Sequence, residues 1–486
     1  MIRRSAHEMA EAIKRREVSS VELTKVHLER IDSVDADVHA FLHVDRAGAI
    51  EQATKIDKAI AAGEKLSPLA GVPLALKDVM TQKGIPTTCG SKILEGWRPP
   101  YDSTVVTKLK RAGVVILGKT NMDEFAMGSS TENSAFGPSH NPWDLTRIPG
   151  GSGGGSSASL AAFEAPLAIG TDTGGSIRQP ASFCGVTGIK PTYGHVSRYG
   201  LIAYASSLDQ IGTLARDAAG CALLLQVIAG HDARDSTSLQ QPPELCSPDS
   251  LSLQGLRVGV VREHFGPGLD TEVASAVQVA VSQLQAAGAD VREVSLPHSR
   301  YAIATYYLIA CCEASSNLAR YDGIHYGHRA QKFQDLTDLY CQSRAEGFGA
   351  EVKRRIMLGT YALSAGYYDA YYLKALQMRR RIQEDFQHAF QQVDVLVGPT
   401  APSAAFALGE KLSDPLEMYL SDICTISTNL AGLPGMSIPC GFTSDGRPIG
   451  LQLQAPALQE ARLLQVATNY QNNSDWHLSQ PPLAKA

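Results

Sequence analysis

The sequence predicts an α/β protein in which a large mixed, partly parallel β-sheet is covered by helices on both faces. Residues 114–117 (Val-Val-Ile-Leu) form an uninterrupted apolar run, the kind of strand that is buried on both faces of a parallel sheet. Strand and helix patterns also alternate along the chain without a fixed-period repeat, which is typical of α/β domains. The 486 residues, 44% of them hydrophobic, allow one large domain or two to three ordinary ones.

The first 60 residues are predicted to form helices. Two capping boxes mark helix starts, one formed by Ser5 with Glu8 and the other by Ser19 with Glu22. The apolar faces of these helices are expected to pack on the core, and a partner surface is the alternative.

A strand–helix–strand pattern follows the N-terminal helices. Residues 72–76 are a short apolar run that predicts a buried strand. Ser103 is then placed to cap a helix that ends at Gly113, and the strand at 114–117 follows.

The same pattern returns in the second half of the chain. Residues 256–261 predict a strand, Asp270 caps a helix that stops at Gly288, and residues 291–296 predict the next strand. A crossover helix of this length indicates that the two strands are parallel. A long helical stretch over 351–392, broken near Gly366, leads to a last strand at 393–397.

Composition and charge exclude several classes of protein. The 44 basic and 49 acidic residues give a net charge of −5, and no polybasic run is present, so the chain has no footprint for binding nucleic acid alone. The nine cysteines are dispersed without metal-ligand spacing, which predicts reduced thiols and no metal site. No signal peptide and no membrane-spanning run is recognisable, so a cytoplasmic protein without membrane contact is expected.

Two glycine–serine segments are the most unusual feature of the sequence. They cover residues 149–157 and 170–178, and they flank a predicted helix and strand. A flexible linker is the ordinary interpretation of such runs. Their short length, the helix that follows directly and the second cluster favour a constructed site instead, because glycines let backbone N–H groups approach a ligand or a developing oxyanion closely.

Two motif matches in this region are rejected on context. Residues 113–120 match GxxxxGK[ST], but the intervening Val-Val-Ile-Leu is a strand rather than a phosphate-binding loop. Residues 150–154 match GxSxG, but no buried strand precedes Ser152 as a nucleophile elbow requires. His195 is the nearest downstream base for a Ser–His–Asp hydrolase, and nothing in the sequence distinguishes it from a surface histidine.

A serine without a histidine needs another base, and a lysine serves if burial keeps it neutral. Lys77 lies at the end of the predicted strand 72–76. An ion pair with Asp78 is its alternative role. From the residues alone, Lys77 is not preferred over Lys119.

Together these residues resemble the amidase signature family. The resemblance rests on Lys77 and on the segments 150–156 and 170–178, and it continues through 180–192 and 429–435. It covers essentially the whole chain. Within the family, the chain is most similar to the glutaminase subunits, termed A, of aspartyl/glutamyl-tRNA amidotransferases, and the segments that carry this likeness are 127–134, 313–318, 351–360 and 366–372.

The resemblance implies a catalytic triad and an oxyanion hole. Ser176 is the implied nucleophile, Ser152 is a bridging serine with a cis peptide bond, and Lys77 is the base. The backbone N–H groups of Thr173, Gly174, Gly175 and Ser176 are the implied oxyanion hole.

The resemblance also implies a pocket for glutamine. Arg355 is the implied ligand of the α-carboxylate and Asp422 that of the α-ammonium, with Arg354 as a rival cation. The further implied pocket residues are Met127, Ser129 and Tyr306.

The implied domain organisation is a single amidase-signature domain over 1–486. Its parts are the N-terminal helices (1–60), the signature core (about 66–220), a polar surface linker (234–253) and a second half that completes the sheet and the substrate pocket (254–486).

The implied function is that of a glutaminase which supplies ammonia within a heterotrimeric amidotransferase, whose other two subunits are termed B and C. The B component is expected to hold ATP and Mg²⁺ and to amidate misacylated Glu-tRNA(Gln) or Asp-tRNA(Asn), so no cofactor is expected on this chain. A stand-alone amidase acting on a small amide is the alternative. A catalytically dead assembly protein is disfavoured because Lys77, Ser152 and Ser176 are all present.

Overall fold

The computed structural model describes residues 1–241 and 252–485, and one sheet runs through this part of the chain. Eleven strands form it within those residues. They are β1 (Phe41–Val44), β2 (Pro73–Lys77), β3 (Val115–Thr120), β4 (Leu167–Asp172), β5 (Thr187–Lys190), β6 (Gln210–Ala215), β7 (Arg257–Val261), β8 (Asp290–Val294), β9 (Val395–Pro399), β10 (Gly435–Phe442) and β11 (Pro448–Gln454).

The strand order is β1-β3-β2-β4-β6-β5-β10-β11-β9-β7-β8. Strand β2 is parallel to β3 and β4, and β7 is parallel to β8 and β9, whereas the remaining pairs are antiparallel. The predicted mixed, partly parallel sheet is therefore confirmed. The pairing of β5 with β10 joins strands from the two halves of the chain into the same sheet.

Fifteen α-helices lie within the described residues. They are α1 (Ala6–Lys14), α2 (Ser20–Val38), α3 (Arg46–Ala61), α4 (Thr104–Arg111), α5 (Gly154–Ala161), α6 (Arg178–Cys184), α7 (Ala218–Ile228), α8 (Thr271–Ala286), α9 (Ala302–Asn317), α10 (Leu336–Gly347), α11 (Ala350–Leu363), α12 (Lys374–Gln392), α13 (Pro415–Leu420), α14 (Ile426–Leu430) and α15 (Glu460–Asn472).

Helices cover both faces of the sheet. Successive side chains of a strand point to opposite faces, and in β2 the side chains of Leu74 and Leu76 join one apolar cluster while that of Ala75 joins another. The first cluster contains apolar residues of α4 and α7, and the second contains those of α2, α3 and α5. Each face of this part of the sheet is therefore packed against its own helices.

Most predicted helix boundaries are confirmed. The Ser5–Glu8 and Ser19–Glu22 capping boxes begin α1 and α2, and Ser103 accepts a hydrogen bond from the N–H of Val106 at the start of α4. Strand β3 continues through the Gly-Lys-Thr end of the GxxxxGK[ST] match, so these residues form a buried strand, as argued from the sequence.

The second half also follows its predicted pattern. Asp270 caps α8, and β7 and β8 on either side of it are parallel. Gly366, with φ +87°, lies between α11 and α12. Half of the predicted linker over 234–253 falls on residues 242–251, which lie outside the described residues.

The eight cysteines within residues 1–241 and 252–485 are free thiols, and no group of three or more His, Cys, Asp or Glu side chains in this part of the chain is arranged to hold a metal. None of the helices in this part of the chain has the length and apolar character needed to span a membrane.

Candidate active site

Lys77 and Ser152 are in direct contact inside the protein. The Lys77 Nζ atom lies at the end of β2 and donates hydrogen bonds to Ser152 Oγ at 2.8 Å and to Thr171 Oγ1 at 2.9 Å. Lys77 and Ser152 are both fully buried. A buried ammonium that no carboxylate of the described residues contacts is costly, so burial shifts the equilibrium toward the neutral amine.

The other buried lysine of this region has a different role. Lys119 Nζ forms an ion pair with Asp78 Oδ1 at 2.8 Å, and both side chains are buried. It also donates to Thr87 Oγ1 and to the carbonyl oxygen of Met80. The structure thus gives the ion pair with Asp78 to Lys119, and it is Lys77 that contacts the serine.

The environment of Lys77 brings its pKa toward neutrality. Burial lowers the pKa of Lys77 to about 8, and three nearby carboxylates act in the opposite sense. These carboxylates belong to Asp123, Asp172 and Asp209. At this pKa, about one lysine in ten is neutral at pH 7, so the side chain is able to accept a proton.

The segment around Ser152 brings this contact next to Ser176. The Gly151–Ser152 peptide bond is cis, as the resemblance implies. A Cβ atom on Gly153 would lie 2.6 Å from the carbonyl oxygen of Ser176 and 3.8 Å from Lys77 Nζ. Only glycine therefore fits at position 153, and its close approach holds the backbone of Ser176 beside the lysine.

The 173–176 loop, which contains the residues of the implied oxyanion hole, is anchored through its side chains and carbonyl groups. Thr173 Oγ1 donates to Asp209 Oδ1 at 2.7 Å, and Thr425 Oγ1 donates to the carbonyl oxygen of Gly174 at 2.6 Å. Gly175 has φ +148°, and a Cβ there would lie 2.3 Å from Thr425 Oγ1. Within the described residues, no protein acceptor is found for the loop's own N–H groups, which leaves them available to a ligand oxygen.

A buried ion pair supports this loop from below. Arg178 Nε and Nη2 donate to the two oxygens of Asp172, each at 3.0 Å, and both side chains are fully buried. Burial raises the pKa of Asp172, but the Arg178 guanidinium, with smaller contributions from Lys190 and Asn429, outweighs it and the pKa is lowered to about 2. Since Asp172 precedes the loop and Arg178 follows it, the pair closes the loop at its base.

The adjacent arginines of α11 differ in position. Arg355 is 2% exposed, and it donates from Nε to Glu351 Oε1 and from Nη1 to the Tyr204 hydroxyl, both at 2.7 Å. Its guanidinium also lies 5.0 Å from the ring centroid of Tyr307. Arg354 is exposed and pairs with the other oxygen of Glu351. Arg355 is thus the buried cation on the inner face of the helix.

Asp422 is a buried carboxylate close enough to Arg355 to feel its charge. Its carboxylate accepts a hydrogen bond from Ser129 Oγ, and the side chain is buried. Burial raises the pKa of Asp422 to about 7, although the Ser129 hydroxyl and the Arg355 guanidinium both lower it. A bound cation would restore its charge, as expected of a site for an ammonium group.

The remaining implied pocket residues are also buried. A Cβ on Gly174 would lie 2.7 Å from Cζ of Tyr306, so the tyrosine ring rests directly on the loop backbone. Met127 is fully buried and follows Phe125 and Ala126, which adopt left-handed φ values of +49° and +61°. This turn brings Met127 and Ser129 into the interior.

Sequence reasoning missed several residues that hold these groups in place. Thr171, Asp172 and Arg178 stood within a segment already identified as unusual, but no role was given to them. Asp209 and Tyr204 carried no signal, because both act through contacts distant in sequence.

His195, which nothing in the sequence distinguishes from a surface histidine, does not lie on the surface. It is buried, with Nδ1 2.8 Å from Glu460 Oε1.

The chain is similar in sequence to known proteins. A family model described as Amidase matches residues 22–464. The A subunit of glutamyl-tRNA(Gln) amidotransferase from Trichormus variabilis is 57% identical over 484 residues, which cover 99% of this chain and 100% of that protein. The protein of the same name from Moorella thermoacetica is 57% identical over 483 residues, covering 99% of each.

A similar fold is found among solved structures. The crystal structure of the corresponding A subunit from Thermotoga maritima has a TM-score of 0.83 at 40% identity, covering 100% of this chain and 99% of that one. A 6-aminohexanoate cyclic dimer hydrolase has a TM-score of 0.85 at 27% identity, covering 99% of both chains. With a family model that matches most of its length and with full-length relatives at these identities, the chain belongs to the amidase signature family.

Proposed function

We propose that this enzyme hydrolyses glutamine and supplies the ammonia to a tRNA-dependent amidotransferase. The observation that carries the proposal is the buried contact of Lys77 Nζ with Ser152 Oγ at 2.8 Å, beside the backbone of Ser176. The full-length similarity to the A subunits of glutamyl-tRNA(Gln) amidotransferases supports glutamine as the substrate.

The chemistry proceeds by proton transfer between the three side chains. Neutral Lys77 takes a proton from Ser152, which takes one from Ser176 as its Oγ attacks the amide carbon. The N–H groups of residues 173–176 stabilise the resulting oxyanion, where one donor is worth about 3 kcal/mol. The proton returns from Lys77 through Ser152 to the leaving nitrogen, ammonia departs, and water then releases glutamate from Ser176.

The two charged ends of glutamine find opposite partners in the pocket. Arg355 presents a buried cation to the α-carboxylate, and Asp422 presents a carboxylate to the α-ammonium. Met127, Ser129 and Tyr306 complete the pocket between them. The pKa of Asp422, raised to about 7 by burial, falls when the ammonium binds, so substrate binding itself ionises this group.

The complex contains two further proteins, the subunits B and C of a heterotrimer that acts in the cytoplasm. We assign ATP and Mg²⁺ to the B component, which amidates the misacylated tRNA, while the smaller C component completes the assembly. The net charge of −5 agrees with a chain that does not hold tRNA alone. Whether the acceptor carries glutamate or aspartate is decided by the partner.

Ammonia release from glutamine by the purified chain tests the proposal, with Ser176→Ala as the blank. We expect the substitution to lower the rate by at least about 10⁴-fold, because it removes the nucleophile. If the chain alone is silent, the assay is repeated with the co-purified partner proteins. Retained activity in Ser176→Ala would refute the nucleophile, and silence with partners present would favour the stand-alone amidase.

The choice between adjacent arginines is tested by a matched pair of substitutions. We expect Arg355→Ala to raise KM for glutamine by about tenfold or more, because it removes the buried ligand of the carboxylate. Arg354→Ala should change KM less than threefold, because Arg354 is exposed. Steady-state kinetics of both variants decide the matter, and the reverse order would assign the carboxylate to Arg354.

A further inference from the structure

We propose that Asp209 is a positioning residue that sets the distance between the 173–176 loop and Arg355, and so places the amide of a bound glutamine against the nucleophile. This inference rests on the proposed function, because it treats Arg355 as the ligand of the α-carboxylate. Asp209 does not touch the substrate in this arrangement. It acts through the groups on its two sides.

The contacts of Asp209 reach both parts of the site. One oxygen, Oδ1, accepts a hydrogen bond from Thr173 Oγ1 at 2.7 Å. The other, Oδ2, accepts from the backbone N–H groups of Tyr204 at 2.9 Å and Ala205 at 3.0 Å. Asp209 is 3% exposed, so these bonds form away from water, where each is strong and its loss is costly.

The connection continues from Tyr204 to the cation. The Tyr204 hydroxyl accepts from Arg355 Nη1 at 2.7 Å, and the carbonyl oxygen of Tyr204 accepts from Asn317 Nδ2 at 3.1 Å. Glu351 holds the Nε side of the same guanidinium. Tyr204, Arg355 and Glu351 therefore form one unit, and Asp209 joins that unit to the loop.

Such a connection matters because glutamine spans a fixed distance. The covalent bonds between its α-carboxylate and its amide carbon limit how far apart these two groups lie. An enzyme that binds the α-carboxylate at Arg355 must therefore hold the amide carbon at the nucleophile. A misplacement of about 1 Å at the reacting centre is able to cost about a hundredfold in rate. A carboxylate that bridges the two gripping parts is suited to fix this distance.

The position predicts a split between binding and turnover. Removing Asp209 leaves Arg355 bound to Tyr204 and Glu351, so glutamine still binds, but its amide is no longer aligned with the loop. We expect Asp209→Ala to lower kcat for glutamine by about 10- to 100-fold. The Kd for glutamine, measured by calorimetry in a Ser176→Ala background, should change less than threefold.

Two further variants test the proposal even if Asp209→Ala does not fold. Thr173→Val cuts the same connection from the loop side and keeps the bonds of Asp209 to Tyr204 and Ala205, so it should show the same loss of kcat. Tyr204→Phe should show the opposite pattern, with Kd weakened about tenfold because the hydrogen bond that orients Arg355 is lost.

The matched control removes a carboxylate in another part of the protein that also accepts hydrogen bonds from two backbone N–H groups. Asp57 accepts from the N–H groups of Ser20 at 2.7 Å and Val21 at 3.0 Å at the start of α2. Asp57→Ala should lower stability without changing kcat or Kd per folded molecule.

The outcomes separate this inference from the proposed function. The first measurement is ammonia release by the wild type and its loss in Ser176→Ala. If the wild type releases no ammonia, the proposed function and the positioning role of Asp209 are both refuted. If the wild type is active, an unchanged kcat in Thr173→Val and Asp209→Ala would overturn the positioning role alone. An equal loss of kcat and binding in both variants would also overturn it, because that result indicates general damage to the pocket.

Discussion

Lys77→Ala is expected to lower kcat for glutamine by about 10²–10⁴-fold while the protein remains folded. The substitution removes the only group that donates to both Ser152 Oγ and Thr171 Oγ1 within the described part of the chain, and with it the proton acceptor of the proposed mechanism. Stability is expected to fall less than activity, because no carboxylate of the described residues contacts Lys77 and would be left unpaired. Steady-state kinetics and thermal unfolding of the same preparation measure both effects.

The pH dependence of kcat/KM is a second test of Lys77 as the base. With the pKa of Lys77 lowered to about 8 by burial, kcat/KM should rise with pH and level off above about 8, since the neutral amine is the active form. A histidine base would level off near its usual value of about 6.5. The residual activity of Lys77→Ala should lack this rise, and a normal rate at pH 7 would mean that another base operates.

Lys119→Ala is the matched control for Lys77→Ala. Both lysines are fully buried, but Lys119 is paired with Asp78. Its removal leaves an uncompensated buried carboxylate and should lower the free energy of unfolding by about 3–5 kcal/mol. Its effect on kcat per folded molecule should be small, so the two lysines are expected to separate stability from catalysis.

The sequence alone did not decide between Lys77 and Lys119 as the base. Lys77 lies opposite Thr120 and Leu76 lies opposite Lys119 in the parallel pair β2–β3. Residues that pair in this way share a face of the sheet, so the two lysines point to opposite faces. Thr120 contacts Ser156 of α5, the helix that follows Ser152, and Lys77 is on that face. The strand register therefore decides which lysine lies on the face of Ser152, and this register cannot be read from the composition of the chain.

For the arginines, the buried face of the helix is evident only in the structure. Arg355 falls three residues after Val352 and four before Gly359, and all three are buried on one face of α11. Arg354 falls outside this spacing. The large apolar residues at 357, 358 and 361 follow Arg354 by three, four and seven positions, but they are exposed. The helical period alone would therefore have favoured Arg354, and the choice of Arg355 needed the structure.

The local elements were more predictable than their arrangement. Caps such as Ser103 and Asp270 act over three residues and are written in the sequence itself. The order of eleven strands, and the contacts of Tyr204 and Asp209 with the site, join residues far apart in the chain. No local pattern encodes such contacts, so these parts of the site needed the structure.

Removal of Arg178, the buried arginine at the base of the loop, is expected to lower the stability of the protein strongly. Arg178→Ala should lower the free energy of unfolding by about 3–5 kcal/mol, because it leaves the fully buried carboxylate of Asp172 without its bidentate partner. The side-chain oxygens of Gln452 and Asn429 also lose a donor. Arg178→Lys should not restore the loss, since an ammonium lacks the guanidinium fork. Chemical denaturation at neutral pH measures each change.

An exposed pair of similar geometry provides the control for this prediction. Arg257 donates from Nε and Nη2 to the two oxygens of Asp394, at 3.2 and 2.7 Å, but its side chain is 40% exposed. Arg257→Ala should therefore cost about 1 kcal/mol or less. Equal losses in the two arginine variants would contradict the view that burial gives the Arg178–Asp172 pair its importance.

The pH dependence of the wild type follows from the same pair. The pKa of Asp172 is lowered to about 2 in the folded protein, so the stability that this pairing contributes is fully present above the unfolded pKa of about 4. It is lost as the pH falls from there toward 2. In Arg178→Ala the carboxylate is no longer held in its charged form by the guanidinium, so acidification over this range should reduce the stability difference between variant and wild type. A difference that stays constant from pH 7 to pH 3 would show that Asp172 is not the group left unpaired.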